Sequence, residues 1–139
     1  MFAAATERPE KKTLPDYAPR PPQNVSRETF PPLDAAGFVR LGSDHGIHLD
    51  NATAARLAQY DALLLKWQKA INLVGPTTVE DRANRHFLDS LQLLKHLPST
   101  DVRLVDIGSG AGFPGLVLAM LGLREVHLVE SDIRKATFL

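Results

Sequence analysis

The chain has 139 residues, 44% hydrophobic and 23% charged, the make-up of one soluble globular domain rather than a disordered or fibrous chain. Sixteen basic residues balance sixteen acidic ones, so no overall charge draws the chain to nucleic acid or to a membrane surface. Cysteine is absent, which excludes disulfides, thiolate nucleophiles and cysteine-ligated metals; with no membrane-length apolar run and no secretory-type start, the sequence reads as cytoplasmic.

Residues 1–32 hold seven of the ten prolines, among charges and few large apolar side chains. Such a stretch buries too little surface to offset the ordering of its backbone, so a disordered tail is expected there. Ordered structure is expected over residues 33–139, beginning with a short helical piece near Leu33 to Leu41. Asp44 to Leu49 reads as a loop leading to a helix cap at Asp50 or Asn51. His45 and His48 lie in that loop without a third ligand nearby, so no metal site is read there.

Thr53 to Ile71 carries Leu57, Tyr60, Leu64, Trp67 and Ile71 at alternating three- and four-residue steps, the stripe of a helix facing a core. Gly75 and Pro76 break it, and Thr77 to Asp81 offers a capping box for a second helix over about Val79 to His96. Val79, Ala83, Phe87, Leu91 and Leu94 form the buried side of that helix, and Arg82, His86, Asp89 and Ser90 follow a neighbouring face. Asp89, one turn from His86, would orient the imidazole and raise its pKa. Two readings stay open for this face: a structural tie between helices, or the lining of a substrate pocket by Arg85, His86 and Asp89. Lys66, Lys69, Arg82 and Arg85 are read as a solvated basic face.

The chemistry gathers in Val102 to Glu130, which has the order strand, glycine turn, helix, strand. Val102, Leu104, Val105 and Ile107 suggest a strand buried on both faces. Asp106 ends the run just before Gly108-Ser109-Gly110-Ala111-Gly112; a buried carboxylate there needs donors, from a ligand or from the turn itself. A helix over Phe113 to Leu121 should follow, with Pro114 in its first turn and Gly122 as its stop. A second strand through Val126, Leu128 and Val129 then ends on the acid Glu130. This is the first βαβ unit of a nucleotide-type α/β fold, with a helix N-terminus facing the ligand and a carboxylate placed for ribose hydroxyls.

Gly110-Ala111-Gly112-Phe113-Pro114-Gly115 also satisfies the dinucleotide pattern G-x-G-x-x-G, with Glu130 at the expected distance downstream. A carboxylate leading the turn suits a cationic ligand, such as the amino group of S-adenosylmethionine, better than a pyrophosphate. A merely structural turn and an NAD(P)-dependent oxidoreductase are the competing readings, and a non-catalytic RNA-binding module is a third. Ser131 or Asp132 would cap a last helix. A doubly wound sheet needs more than two strands, and its first strand would otherwise keep a bare edge, so the chain reads as the N-terminal part of a larger enzyme, inactive alone.

Together, Asn72-Leu73, Arg85-His86-Phe87-Leu88-Asp89-Ser90, Val105 to Gly115, Leu128 to Ser131 and Lys135 to Leu139 resemble one family. It is the bacterial 16S ribosomal RNA guanine-N7 methyltransferase family, also called glucose-inhibited division protein B. The resemblance covers about Leu33 to Leu139; the proline-rich tail departs from it, and the family's later motifs lie beyond this sequence. It implies a Rossmann-like class I S-adenosylmethionine-dependent methyltransferase fold, here its N-terminal part preceded by helices. It further implies methyl transfer to N7 of a guanine, the one numbered 527, in 16S ribosomal RNA or the small ribosomal subunit, by a monomer. Gly108 and Phe113 match cofactor contacts of the family, Asp106, Gly110 and Gly112 would shape the methionine end, and Glu130 would hold the ribose. No general base is expected, because guanine N7 has a free lone pair and no proton to lose.

Overall fold

Two aspartates start the helical layer of the computed structural model, which describes residues 30–139. Asp34 accepts from the N–H of Gly37 and opens α1 (Ala35–Asp44); Asp50 accepts from the N–H of Thr53 and opens α2 (Asn51–Gln68). Each satisfies an N–H that the first helical turn leaves without a partner. Most of the proline-rich stretch, residues 1–29, lies outside the described residues.

Helix α2 packs against α1 through the expected stripe, with Leu57, Tyr60 and Leu64 buried and Trp67 and Ile71 half-buried at its end. It stops at Gln68 rather than Ile71. The Gln68 amide accepts from the N–H groups of Leu73 and Val74 and donates to the Val74 carbonyl, which turns the chain back on itself.

The second helical segment departs from the single α-helix read over Val79 to His96. A 3₁₀ turn at Pro76–Thr78 is followed by an irregular stretch, a π-helical turn at Ala83–Leu88, α3 (Asp89–Leu93) and a closing 3₁₀ turn at Leu94–His96. The capping box does not form. The Thr78 hydroxyl donates instead to the Gly75 carbonyl and meets His86 Nε2, and the Val79 carbonyl is occupied by the backbone and guanidinium N–H groups of Arg82.

Arg82 corrects a second expectation, since it lies in the core and not on a solvated face. Its Nε and Nη2 bond the two oxygens of fully buried Asp61 at 2.5 and 2.9 Å. Nη2 also donates to the carbonyl of Pro31, while Asp61 accepts from the N–H of Leu33. The pair thus clasps residues 31–33 onto the helices. Around it, Phe87 meets Phe38, Tyr60 and Phe113 edge-on, with ring centroids 4.9, 5.4 and 5.0 Å away.

Beyond this layer, β1 (Arg103–Ile107) and β2 (Glu125–Val129) pair in parallel, with Arg103 opposite Glu125 and Ile107 opposite Val129. Helix α4 (Gly115–Met120) connects them, and α5 (Ile133–Phe138) follows. Gly122, at φ +95°, ends α4 as expected, and Asp132 caps α5 by accepting from the N–H of Arg134. Helix α4 begins at Gly115 and not at Phe113; the Phe113–Pro114 peptide bond is cis.

β1 is covered on one face only, contrary to the strand buried on both. Leu104 and Asp106, with Val126 and Leu128, are half-buried, and a Cβ on Gly115 of α4 would strike Leu128 and Asp106. Ile107, Val105 and Val129 point the other way and are 81%, 54% and 50% exposed, because nothing among the described residues packs there. No described helix is long and apolar enough to cross a membrane.

Replacing Arg82 with Met is expected to destabilise the fold by about 3–5 kcal/mol, the cost of leaving a buried carboxylate without its counter-charge. The double replacement Asp61→Leu with Arg82→Met should recover much of that loss. Urea unfolding of both variants tests the expectation, and equal midpoints for the single and double variants would contradict it.

Candidate cofactor site

The alternation of glycine through the turn after β1 has a direct backbone reason. Gly108, Gly110 and Gly112 have φ of +78°, +59° and +98°, which side-chain-bearing residues adopt at a cost. Their surroundings divide them further. A Cβ on Gly108 would meet nothing within 4 Å, and one on Gly110 would meet only the Gly108 carbonyl at 3.8 Å. On Gly112 it would collide with Leu116, at 2.8 Å from Cγ, and on Gly115 with Asp106 Oδ2, also at 2.8 Å. The first two glycines therefore border open space, Gly112 leaves room for the Leu116 side chain, and Gly115 lets helix and strands close on each other.

Side chains from both strands hold this shape. Buried Ser109 donates to the Asp106 carbonyl at 2.8 Å and accepts from the N–H of Val129 at 3.1 Å, tying the turn across β1 and β2. The Asp106 carboxylate accepts from the N–H of Gly115 at 2.9 Å, so the chain itself supplies a donor to the half-buried acid. This corrects the picture of a helix N-terminus free to face a ligand. The N–H of Gly115 is taken by Asp106, and that of Leu116 bonds the Gly112 carbonyl.

Glu130 sits directly after β2. One carboxylate oxygen accepts from the N–H of Asp132 at 2.7 Å, the other from the N–H of Gly110 at 2.8 Å. These two backbone donors hold its carboxyl below the usual glutamate range, so it is charged at neutral pH. A carboxylate has about four acceptor positions; two take these backbone donors, a third meets the Ser131 hydroxyl at the long distance of 3.5 Å, and capacity remains for a ligand.

Asp106, Gly108, Gly110, Gly112 and Glu130 therefore surround one turn, and Phe113 leaves that turn toward the helices. Its half-buried ring stacks on His86 (centroids 5.2 Å apart, planes at 26°) and packs on Phe87 and Tyr60. His86 is thereby brought beside the turn. Arg85 and Asp89 are exposed, and their side chains make no hydrogen bond or ion pair among the described residues. The expected Asp89–His86 pairing is corrected accordingly: His86 Nε2 meets the Thr78 hydroxyl at 2.8 Å. Burial pushes the imidazole pKa down and outweighs the opposing pull of Asp89, a charge that water screens.

Two residues escaped sequence reasoning. Tyr60 was expected only as core, yet its hydroxyl donates to the carbonyl of Ala111 inside the turn at 2.5 Å. Asp61 carried a usable signal: it stands four residues after Leu57 and three before Leu64, on the buried face of α2, where an acid needs a partner.

The profile of the family described as rRNA small subunit methyltransferase G matches residues 53–139. The chain is 63% identical over 107 residues to the Ribosomal RNA small subunit methyltransferase G of Rhodospirillum centenum, covering 77% of this chain and 50% of the relative. It is 59% identical over 93 residues to the protein of that name from Rhodospirillum rubrum, covering 67% and 46%. To that of Rickettsia felis it is 49% identical over 84 residues, covering 60% and 44%. The chain thus spans about half the length of these curated relatives. No solved structure matches it.

The His86 ring should titrate below the ordinary imidazole value of 6.5, as ring-proton NMR would read directly. Because the unfolded chain binds that proton at higher pH than the folded one, stability from this group is present above the ordinary imidazole range. It is lost as pH falls through that range. His86→Gln should therefore lessen the drop in unfolding temperature between about pH 7 and pH 5. An identical drop in both proteins would contradict the assignment.

Proposed function

Because the chain belongs to the rRNA small subunit methyltransferase G family, we propose that it forms the cofactor-binding part of an S-adenosylmethionine-dependent enzyme methylating N7 of a guanine in 16S ribosomal RNA. In this reading the βαβ unit begins a Rossmann-like class I fold, and the RNA of the small ribosomal subunit is the partner. The observation that carries it is the turn between Asp106 and Glu130. Its outer side is open at Gly108 and Gly110, and one carboxylate stands at each end of it.

These residues fit the cofactor. Glu130 is ionised, held by two backbone donors and still able to accept from a vicinal diol, which suits a ribose. Asp106 presents negative charge beside the turn, where the cationic methionine end would lie. The dinucleotide reading fits less well. A pyrophosphate needs free N–H groups where the helix begins, and Asp106 already occupies that of Gly115.

Bound adenosylmethionine supplies a methyl group on a positively charged sulfur, open to attack by a lone pair. Guanine N7 would offer such a lone pair, and it carries no proton that the chain would have to remove. No proton moves, so the protein's part is alignment, which can contribute roughly 7–11 kcal/mol to lowering the barrier. N7 faces the major groove, which is deep and narrow in A-form RNA, so the target base must be unpaired or turned out. Arg85, His86 and Asp89 lead away from Phe113 and are the candidates to line the path of that base. His86 would present a neutral ring there at physiological pH, and Arg85 an exposed cation for phosphate.

Calorimetric titration of the full-length protein should show adenosylmethionine bound more tightly than its 2′-deoxyribose analogue. Glu130→Ala should weaken adenosylmethionine binding roughly tenfold and erase that preference. A preference that survives the substitution would remove Glu130 from the ribose site. Gly110→Val should abolish binding, because its side chain enters the open side of the turn; unchanged affinity would relocate the site. Transfer of tritiated methyl to undermodified small-subunit RNA, with the label recovered at guanine N7, tests the reaction itself.

A further inference from the structure

We propose that Tyr60 is a positioning residue for the cofactor, its hydroxyl holding the glycine turn through the Ala111 carbonyl in the shape the ligand meets. The inference rests on the cofactor reading above. A turn with three glycines at positive φ has much conformational freedom to lose, so its shape depends on what pins it. Ser109, Asp106 and Glu130 supply pins from within the strand–turn–strand unit, as does the N–H of Gly112 bonded to the Ser109 carbonyl. All of these would move together if the unit moved. The Tyr60 hydroxyl comes from α2, 51 residues away in sequence, and fastens the turn to the helical layer.

The tyrosine is built for that task. Its ring is wedged between Phe87, Phe113 and Phe138, with centroids 5.4, 5.3 and 6.2 Å away, so the hydroxyl has little freedom to leave the carbonyl. Ala111 is itself buried, and loss of the donor would leave its carbonyl without a partner. Burial, with the negative charges of Asp106 and Asp61, pushes the phenol far above its ordinary pKa, so it remains a donor at every physiological pH. Leucine or phenylalanine would complete the apolar stripe of α2 equally well; only the bond to the turn requires a hydroxyl. The next residue, Asp61, holds Arg82, so one turn of α2 fastens both the glycine turn and the segment leading to His86.

The test is Tyr60→Phe in the full-length protein. Expected are a roughly three- to tenfold rise in the KM and Kd for adenosylmethionine, with kcat at saturating cofactor within about twofold of the original. Amide exchange at Gly110 and Gly112 should quicken in the absence of ligand. A lowered unfolding temperature with unchanged KM, Kd and exchange would reduce Tyr60 to a core residue and overturn the proposal. If Tyr60→Phe fails to fold, 3-fluorotyrosine placed at position 60 keeps the bond: its fluorine resonance should move when adenosylmethionine is added, and a stationary signal overturns the proposal. Should the unaltered protein bind no adenosylmethionine, the cofactor reading fails by itself. The exchange rates of Gly110 and Gly112 in Tyr60→Phe then decide alone whether Tyr60 holds the turn.

Discussion

A carboxylate and a guanidinium withdrawn from water must meet each other with good geometry, and the Asp61–Arg82 pair is the constraint on which this molecule depends. Either charge left alone in the core would cost several kcal/mol. Both oxygens of Asp61 are therefore matched by donors of Arg82, and the remaining bonding capacity goes to backbone groups of residues 31–33 and to the Val79 carbonyl. Arg82 turns inward where the chain leaves Val79 as an irregular stretch, and from there the chain reaches His86 through a π-helical turn. π-Turns often accompany functional positions. Here the turn brings His86 and Phe87 against Phe113, where the helical layer meets the end of the glycine turn.

The turn shows how one residue type serves two purposes. Gly112 and Gly115 exist for the protein: a methyl group at Gly112 would strike Leu116 and Leu139, and one at Gly115 would hold α4 off the strands. Gly108 and Gly110 border space that protein atoms leave free, and that freedom is what a ligand would use. Glu130 joins the two purposes: it accepts from the Gly110 N–H, which sets the turn, and retains acceptor positions for a partner outside the chain. A polar device of this kind is worth most when every member is satisfied, and no buried side-chain polar atom among the described residues lacks a partner.

Much of this was legible in the residues. The alternating glycines after Asp106, the acid ending the second strand, the stripe of α2 and the caps, narrowed to Asp50 or Asn51 and to Ser131 or Asp132, are short-range patterns, each decided within about one helical turn or one strand. The errors share the opposite character. The capping box failed because the Thr78 hydroxyl found Gly75 and His86, and the Asp89–His86 pair failed because His86 was closed in by Phe113 and Thr78. Two-sided burial of β1 failed because apolar composition states what a strand can tolerate, not what stands beside it.

The sequence by itself determined the strand–turn–helix–strand order after Val102, the need for glycine in the turn, and an acid at the end of each strand. Those follow from backbone sterics, helix and strand periodicity, and capping chemistry, all local to the chain. Only the tertiary structure decided which glycines face open space, that Arg82 is buried, and that the Tyr60 hydroxyl reaches Ala111. The reason is physical: a buried polar atom must find a partner among whatever surfaces fold against it. For Asp61 and Tyr60 those partners lie 21 and 51 residues along the chain, beyond the reach of any local pattern.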